Sequence, residues 1–315
     1  MENNIHVIIA GRSVDKAKKL ISKIDAVNEI KAVGLDINIE ITPSLCEIKP
    51  DIVIHTSGPF QSQGYDVAEV CINLGIHYID LADGREFVNG ITRLDGQAKE
   101  KNVLVISGAS SVPCLTSSIV DFYKDEFETL ETLDYGITTA QKTARGLATT
   151  AAILGYTGKP IKTIINGEPS IIYGWQGLKL HKYKELGWRL LGYCDVPDLA
   201  IFPELYPQLK TIRFYAGLEI PFIHVTLWFL SYLVRFGLIK TLQPAAAFLL
   251  RVSYLFDWLG TDKSAFHMEL EGKDKYGKEK TVSFELTARS GDGPYIPCMP
   301  AILIAKKLAN HEISD

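Results

Sequence analysis

Three groups of residues carry most of the polar chemistry that this 315-residue sequence could perform. Gly11-Arg12-Ser13 closes a first apolar run, and Lys16 follows one helical turn later. A guanidinium there, with a hydroxyl and an ammonium beside it, can fork onto a phosphate or stand as a solvated loop charge. A second apolar run ends in Thr56-Ser57-Gly58-Pro59-Phe60, which offers two hydroxyls and a backbone bent by glycine and proline. A third run carries Tyr78, Asp80 and Asp83, a phenol and two carboxylates. Such groups move protons, although carboxylates at strand ends also serve as ordinary turn residues. Farther along, Arg145 sits in a polar cluster with Thr138, Thr139, Gln141, Lys142 and Thr143, where it could grip a substrate carboxylate bidentately or be solvated.

The elements that must position these residues alternate between strand and helix. Residues 5–10 read as a strand, 14–24 as a helix with Ser13 as N-cap, and 30–35 as a strand with Asp36 at its end. A helical turn at 42–44 leads to residues 51–55, a β-branched run bounded by Pro50 and by Gly58-Pro59 that reads as a fully buried strand. Residues 64–75 place Val67, Val70, Cys71 and Leu74 on one helical face, and 77–80 return as a strand, which completes a βαβ unit. Helix 88–101, strand 103–107 and a helix from Pro113 to about Tyr123 continue the pattern. In open α/β sheets ligands bind at the carboxyl edge of the strands, where 56–60 and the second loop, 107–113, both fall. Ser110 and Ser111 in that loop are either ligand-facing or helix N-caps.

A strand at 130–139 is expected to open a second domain, followed by a helical run at 147–154. Residues 155–207 hold enough turn signals for short strands and long loops, with Trp175 and Trp188 as core or interface anchors. Residues 222–239 are apolar, yet His224, Ser231 and Arg235 share one helical face, which argues against a bilayer span. With a second apolar helix at 245–259 they form an αα-hairpin expected to cover a sheet, to make a homodimer interface, or to lie on a membrane surface, in that order. Residues 264–271 and 280–288 alternate around Gly277 as a β-hairpin. Pro300 starts a final helix, 301–309, whose apolar side is read as Ile302, Leu303, Ala305 and Leu308, packing back onto the first domain.

Composition removes several classes of function. With 47% apolar and 22% charged residues, the chain can bury the core of two ordinary domains. A net charge of -4, without a lysine-rich face or arginine stripe, argues against nucleic acid as a partner. Five cysteines lie without a CxxC pair and no signal peptide precedes them, which points to a reducing, cytoplasmic setting. Neither cysteines nor the seven histidines cluster at metal-ligand spacing.

GPFQ at 58–61, Gly64-Tyr65, the following helix, HYID at 77–80 and Asp83 together resemble the NADP-binding half of the saccharopine dehydrogenase-like oxidoreductases. The resemblance extends to Ala10-Gly11-Arg12, to SGASSVP at 107–113 and to SGDGPYIPCMPAILIAKKLA at 290–309, and is loose over the middle third. It implies an α/β fold: a Rossmann-type doubly wound parallel sheet over residues 1–125 plus 295–315, with a second α+β substrate and dimerisation domain over 126–294. It also implies NADP as cofactor, hydride transfer to or from a C=N or C=O carbon of a small molecule, and a homodimer. Gly11, Arg12, Ser13 and Lys16 would then hold the 2′-phosphate, Asp36 would border the adenine, and Thr56, Ser57, Gly58, Pro59 and Phe60 would line the ribose and nicotinamide. Tyr78, Asp80 and Asp83 are the candidates for proton transfer, and Arg145 for substrate binding. The sequence departs from the pattern in one respect. No Gly-x-Gly-x-x-Gly turn occurs, and the strand that precedes it, the first and normally central one, is missing. The expectation is therefore a truncated reading frame, a fragment, or a shortened relative that lost cofactor affinity. The alternative function is a non-catalytic or membrane- or lipid-associated protein that retains the fold.

Overall fold

The computed structural model describes residues 5–26, 28–39 and 41–313. Its first layer opens with β1 (Val7–Gly11), α1 (Val14–Ile21) and β2 (Ile30–Gly34), a right-sized βαβ unit whose two strands pair in parallel with Gly11 opposite Gly34. After α2 (Ile41–Ile48) come β3 (Ile52–His55), α3 (Asp66–Asn73), β4 (His77–Asp80), α4 (Arg85–Gly90), α5 (Asp95–Glu100), β5 (Val105–Ile106) and α6 (Thr116–Tyr123). Strands β3, β4 and β5 form a second parallel sheet in that order. A dinucleotide fold has the strand order 3-2-1-4-5-6; leaving out strand 1 yields the two pieces seen here, β2-β1 and β3-β4-β5. The fold is the Rossmann type expected, with its parallel sheet interrupted where the first strand would lie.

The remaining chain builds a mixed sheet. Its elements are β6 (Thr129–Thr139), α7 (Leu147–Tyr156), β7 (Pro160–Ile165), β8 (Glu168–Tyr173), β9 (Lys179–Tyr183), β10 (Gly187–Tyr193), α8 (Asp198–Leu205) and β11 (Thr211–Leu218). Then follow α9 (Pro221–Arg235), α10 (Ala246–Tyr254), β12 (Ser264–Lys273), β13 (Glu279–Ala288) and α11 (Met299–Ala309). Six strands pair in the order β13-β12-β6-β11-β10-β9, all antiparallel except β6 with β11, and β7-β8 form a separate hairpin. The β9-β10 hairpin curls back across this sheet. His181 on β9 stacks on His267 of β12 at 3.8 Å, and Arg289 just past β13 pairs with Glu185 at the hairpin tip.

The largest core lies on the other face of that sheet, where Leu133, Tyr135, Ile212, Phe214 and Met268 meet Phe202 of α8. Ile119 and Val120 of α6 belong to this core too, so α6 packs with the sheet that follows it. A second core holds Phe60, Ala68, Cys71, Ile72, Tyr78 and Phe87 around β3 and β4, and a small third one sets Ala301 and Leu308 of α11 against Ile79. The buried face of α11 is thus Ala301, Ile304, Ala305 and Leu308, at helical spacing from Met299; Ile302 and Leu303, expected inside, are about half exposed.

Several expected elements are shortened for a shared reason. The single helix expected over 88–101 is broken, because the Tyr65 hydroxyl donates to the Phe87 carbonyl at 2.6 Å and takes an acceptor the helix would need. The helix expected over 245–259 stops at Tyr254, where Gln141 Nε2 donates to the Ser253 carbonyl at 2.7 Å and a tighter turn follows. Residues 111–115 form a wide turn around Pro113, so α6 starts at Thr116 rather than at the proline. Helix α8 and strand β11 were not expected at all, since Pro203 and the surrounding aromatics mask their periodicity.

Candidate functional site

Three loops leave the carboxyl edge of β3, β4 and β5 side by side. Residues 56–60 end in the buried Phe60 ring, which packs edge-on to His55 at 5.1 Å. Gly84 lets the loop after β4 approach closely: a Cβ there would stand 3.3 Å from the Gln61 nitrogen. Gly108 has φ +75 and lies against Pro113, so the loop after β5 requires glycine both for its backbone and for space.

Asp80 ties these loops together. It is fully buried, and its Oδ1 accepts from the Ala82 and Gly108 amides and from Ser107 Oγ, each at 2.9 Å. Burial raises its pKa, and those hydrogen bonds act in the opposite direction. Tyr78 is also buried, with its hydroxyl 2.9 Å from His55 Nδ1; burial first, then the Asp80 charge, raises the phenol. Burial lowers His55 to about 4 and keeps it neutral. Two of the three proton-transfer candidates therefore occupy interior positions.

Asp83, the third, reaches the open side. Its Oδ1 accepts from Gln61 Nε2 at 3.1 Å. Near it lie residues of the mixed-sheet layer that sequence reasoning missed: Tyr156 at the end of α7, and Cys194 and Asp195 after β10. The Tyr156 hydroxyl lies 2.9 Å from Cys194 Sγ. Burial pushes the Cys194 thiol up to about 12 against the Tyr156 hydrogen bond, and the charges of Asp195 and Asp83 add to the rise. Burial likewise raises Tyr156, helped by the same two carboxylates. Asp195 is raised by burial and lowered by Arg85, whose Nε lies 3.0 Å from its Oδ1. Arg85 also donates to the Val196 and Lys162 carbonyls, so it clamps the loop after β4 to the second layer. A signal was available in Arg85: an arginine two residues from Asp83 at a carboxyl edge needs an acceptor.

At the other end of the edge, Ser13 caps α1 through Lys16 N at 3.4 Å, as expected. Arg12 and Lys16 are exposed and take part in none of the ion pairs found among the described residues. A Cβ on Gly11 would meet nothing within 4 Å, which leaves room for a ligand beside the backbone. Asp36 lies near this edge, but its carboxylate is turned onto Asn38 in a local turn. Arg145 is committed elsewhere. Its guanidinium pairs with Asp257 at 2.6 Å, donates to the Gln141 carbonyl and stacks on Tyr254, a structural role in place of the substrate grip expected of it.

Residues 1–106 match the family described as saccharopine dehydrogenase NADP binding domain. Over this first third the chain is similar to that NADP-binding family. Arg12 and Lys16, which join no ion pair among the described residues, stand beside open space at Gly11 and could receive a phosphate. Among solved structures, apo saccharopine dehydrogenase (L-Glu forming) from Saccharomyces cerevisiae shares the fold with a TM-score of 0.68 at 12% identity, over 99% of this chain and 87% of that one. Amine dehydrogenase from Mycobacterium smegmatis (TM-score 0.44, 11% identity, 88% and 78% covered) is more distant. So is a meso-dapdh mutant from Clostridium tetani (TM-score 0.40, 13% identity, 91% and 84% covered). No curated protein sequence matches the chain.

Proposed function

We propose that the chain catalyses NADP(H)-dependent hydride transfer to or from a C=N or C=O carbon of a small substrate. The observation that carries this reading is the Tyr156 hydroxyl 2.9 Å from Cys194 Sγ, with the Asp83 and Asp195 carboxylates near enough for their charges to act on both groups. The dinucleotide, when bound, supplies the hydride. Arg12, Ser13 and Lys16 hold its 2′-phosphate, and residues 56–60 line the ribose and nicotinamide side. Tyr156 and Cys194 stay protonated at neutral pH, so they offer neutral donors to the oxygen or nitrogen of the reacting bond. A thiol held near 12 is a poor nucleophile, which favours hydrogen bonding over covalent chemistry. Arg85 holds Asp195 in place. A cytoplasmic setting accords with five free cysteines.

The test is titration of the chain with NADPH and NADH, followed by cofactor fluorescence. NADPH is expected to bind more tightly than NADH, and Arg12→Ala to weaken NADPH alone by about 10- to 100-fold. Equal affinity for the two dinucleotides, or an Arg12 variant that behaves as wild type, would remove the phosphate site. A second reading, a binding protein without catalysis, is favoured by the lack of a Gly-x-Gly-x-x-Gly turn for the pyrophosphate. Tight NADPH binding with no turnover of any imine or carbonyl in a substrate screen would select it.

A further inference from the structure

Helix α9 is amphipathic in an unusual sense. Its inner stripe is His224, Leu227, Ser231 and Val234, all buried, with the imidazole kept neutral by burial that lowers its pKa to about 4. This stripe covers β10 and β11. The outer stripe is Phe222, Val225 and Phe229, three and four residues apart, and continues to Phe236 at the C-cap. Two polar side chains, His224 and Ser231, face in, while Phe222, Phe229 and Phe236 face out beside the exposed Thr226 and Arg235. On α10 the outward residues Phe248, Arg251 and Leu255 follow the same spacing and lead to Trp258 in the turn beyond. Phe222 packs on Phe256 at 5.0 Å, which joins the two stripes into one surface.

Exposure in this surface is extreme. Phe236, Leu238, Phe248, Leu255 and Trp258 are each between 67% and 75% exposed. Scattered apolar residues on a surface are ordinary, but large side chains this exposed on two helices that touch through Phe222 and Phe256 mark a contact site. Charge decides what the contact is. Residues 221–260 contain Arg235, Lys240 and Arg251 against Asp257 alone, and Asp257 is neutralised by Arg145, whereas the whole chain carries -4. No helix among the described residues is long and apolar enough to cross a membrane. An apolar face with aromatic ends, flanked by cations on an otherwise acidic protein, matches the interfacial region of an anionic bilayer.

We infer that the outer faces of α9 and α10 dock the protein onto the surface of an anionic lipid bilayer. The experiment is flotation of the full chain, after detergent removal, with vesicles of phosphatidylcholine mixed with phosphatidylserine and with vesicles of phosphatidylcholine alone. The wild type is expected to float with both and more strongly with the mixed vesicles. The double variant Phe229→Glu/Leu255→Glu is expected to lose at least about 10-fold in affinity. Arg251→Glu, an exposed charge reversal that leaves the core untouched, is expected to lose about 5-fold on mixed vesicles and little on phosphatidylcholine. Circular dichroism and NADPH binding, both unchanged, establish that the variants are folded. A wild type that stays unbound on both vesicle types overturns the inference, as does Arg251→Glu floating like wild type on the mixed ones. Should the double variant instead convert a sedimenting dimer to a monomer while wild type ignores lipid, the occupant is a second copy of the chain.

Discussion

The β1-α1-β2 unit and the six-stranded sheet sit in one molecule but are held together by different means. In the sheet, Leu133, Tyr135, Phe202, Ile212 and Met268 are essentially removed from water, and each pairs its burial with a neighbour on both sides. In the βαβ unit no residue of β1, α1 or β2 joins any of the three buried clusters, and Val7 remains 45% exposed. Among the described residues β1 pairs only with β2, and β3 only with β4. The basic residues proposed to read the cofactor phosphate are therefore mounted on the least supported element, while the residues proposed to meet the reacting bond are mounted on the most supported one. Placement of a charge needs less scaffold than placement of a reacting atom, because the phosphate contact tolerates motion that a proton transfer does not.

The comparison can be broken at its strong side first. Phe202→Ala is expected to cost about 3 to 5 kcal/mol in urea unfolding, since the ring is wholly buried against Tyr135. A loss below ~1 kcal/mol would mean that the sheet core is no better supported than the βαβ unit. Asp80→Ala comes next, at about 3 kcal/mol, because it strands the Ala82 and Gly108 amides and the Ser107 hydroxyl. NADPH affinity should fall along with stability in this variant, since all three loops of the edge are released.

A third test uses pH. Asp198, at the start of α8, accepts from Tyr135 at 2.9 Å, and burial lifts its pKa from 3.8 to about 7, against hydrogen bonds from Thr116 and Tyr135. Between those values the folded state binds the proton more tightly than the unfolded chain. The stability that this carboxyl contributes is complete below about pH 4 and is lost as pH rises through about 7. Asp198→Asn should therefore gain on the wild type from pH 4 to pH 8, on the order of a few degrees in Tm. A constant difference across that range would place the titration elsewhere. The smallest effect is expected at Ile9→Ala in β1, below about 1 kcal/mol, because the side chain is only half buried. A larger loss would show that the βαβ unit is better supported than its burial indicates.

Much of this was legible in the sequence where one local signal dominated. The β-branched run at 52–55, the Ser13 cap and the Gly277 hairpin each depend on neighbours a few residues away, and each lies where the pattern placed it, although β3 is not the fully buried strand expected: it is an edge strand with Ile54 41% exposed. What stayed hidden depends on distant partners. Tyr65 ends a helix at Phe87, Gln141 ends another at Ser253, and Tyr156 meets Cys194 from opposite ends of the mixed-sheet region. Arg145 shows the limit from the other direction. Its residue type suggested a substrate grip, but Asp257, 112 positions along, decides its use.

The Cys194 thiol has a practical consequence. Cys46 is exposed, while Cys71 and Cys194 are buried with their thiols held near 12, so neither reacts at neutral pH until the protein around it opens. Cys71 lies inside the first layer and Cys194 in the core of the second, against Tyr156. Once the exposed Cys46 and the partly exposed Cys114 and Cys298 have been labelled, alkylation thus supplies two internal stopwatches, one timing the opening of the first layer and the other that of the second. A dinucleotide bound at the carboxyl edge would slow the second and leave the first running.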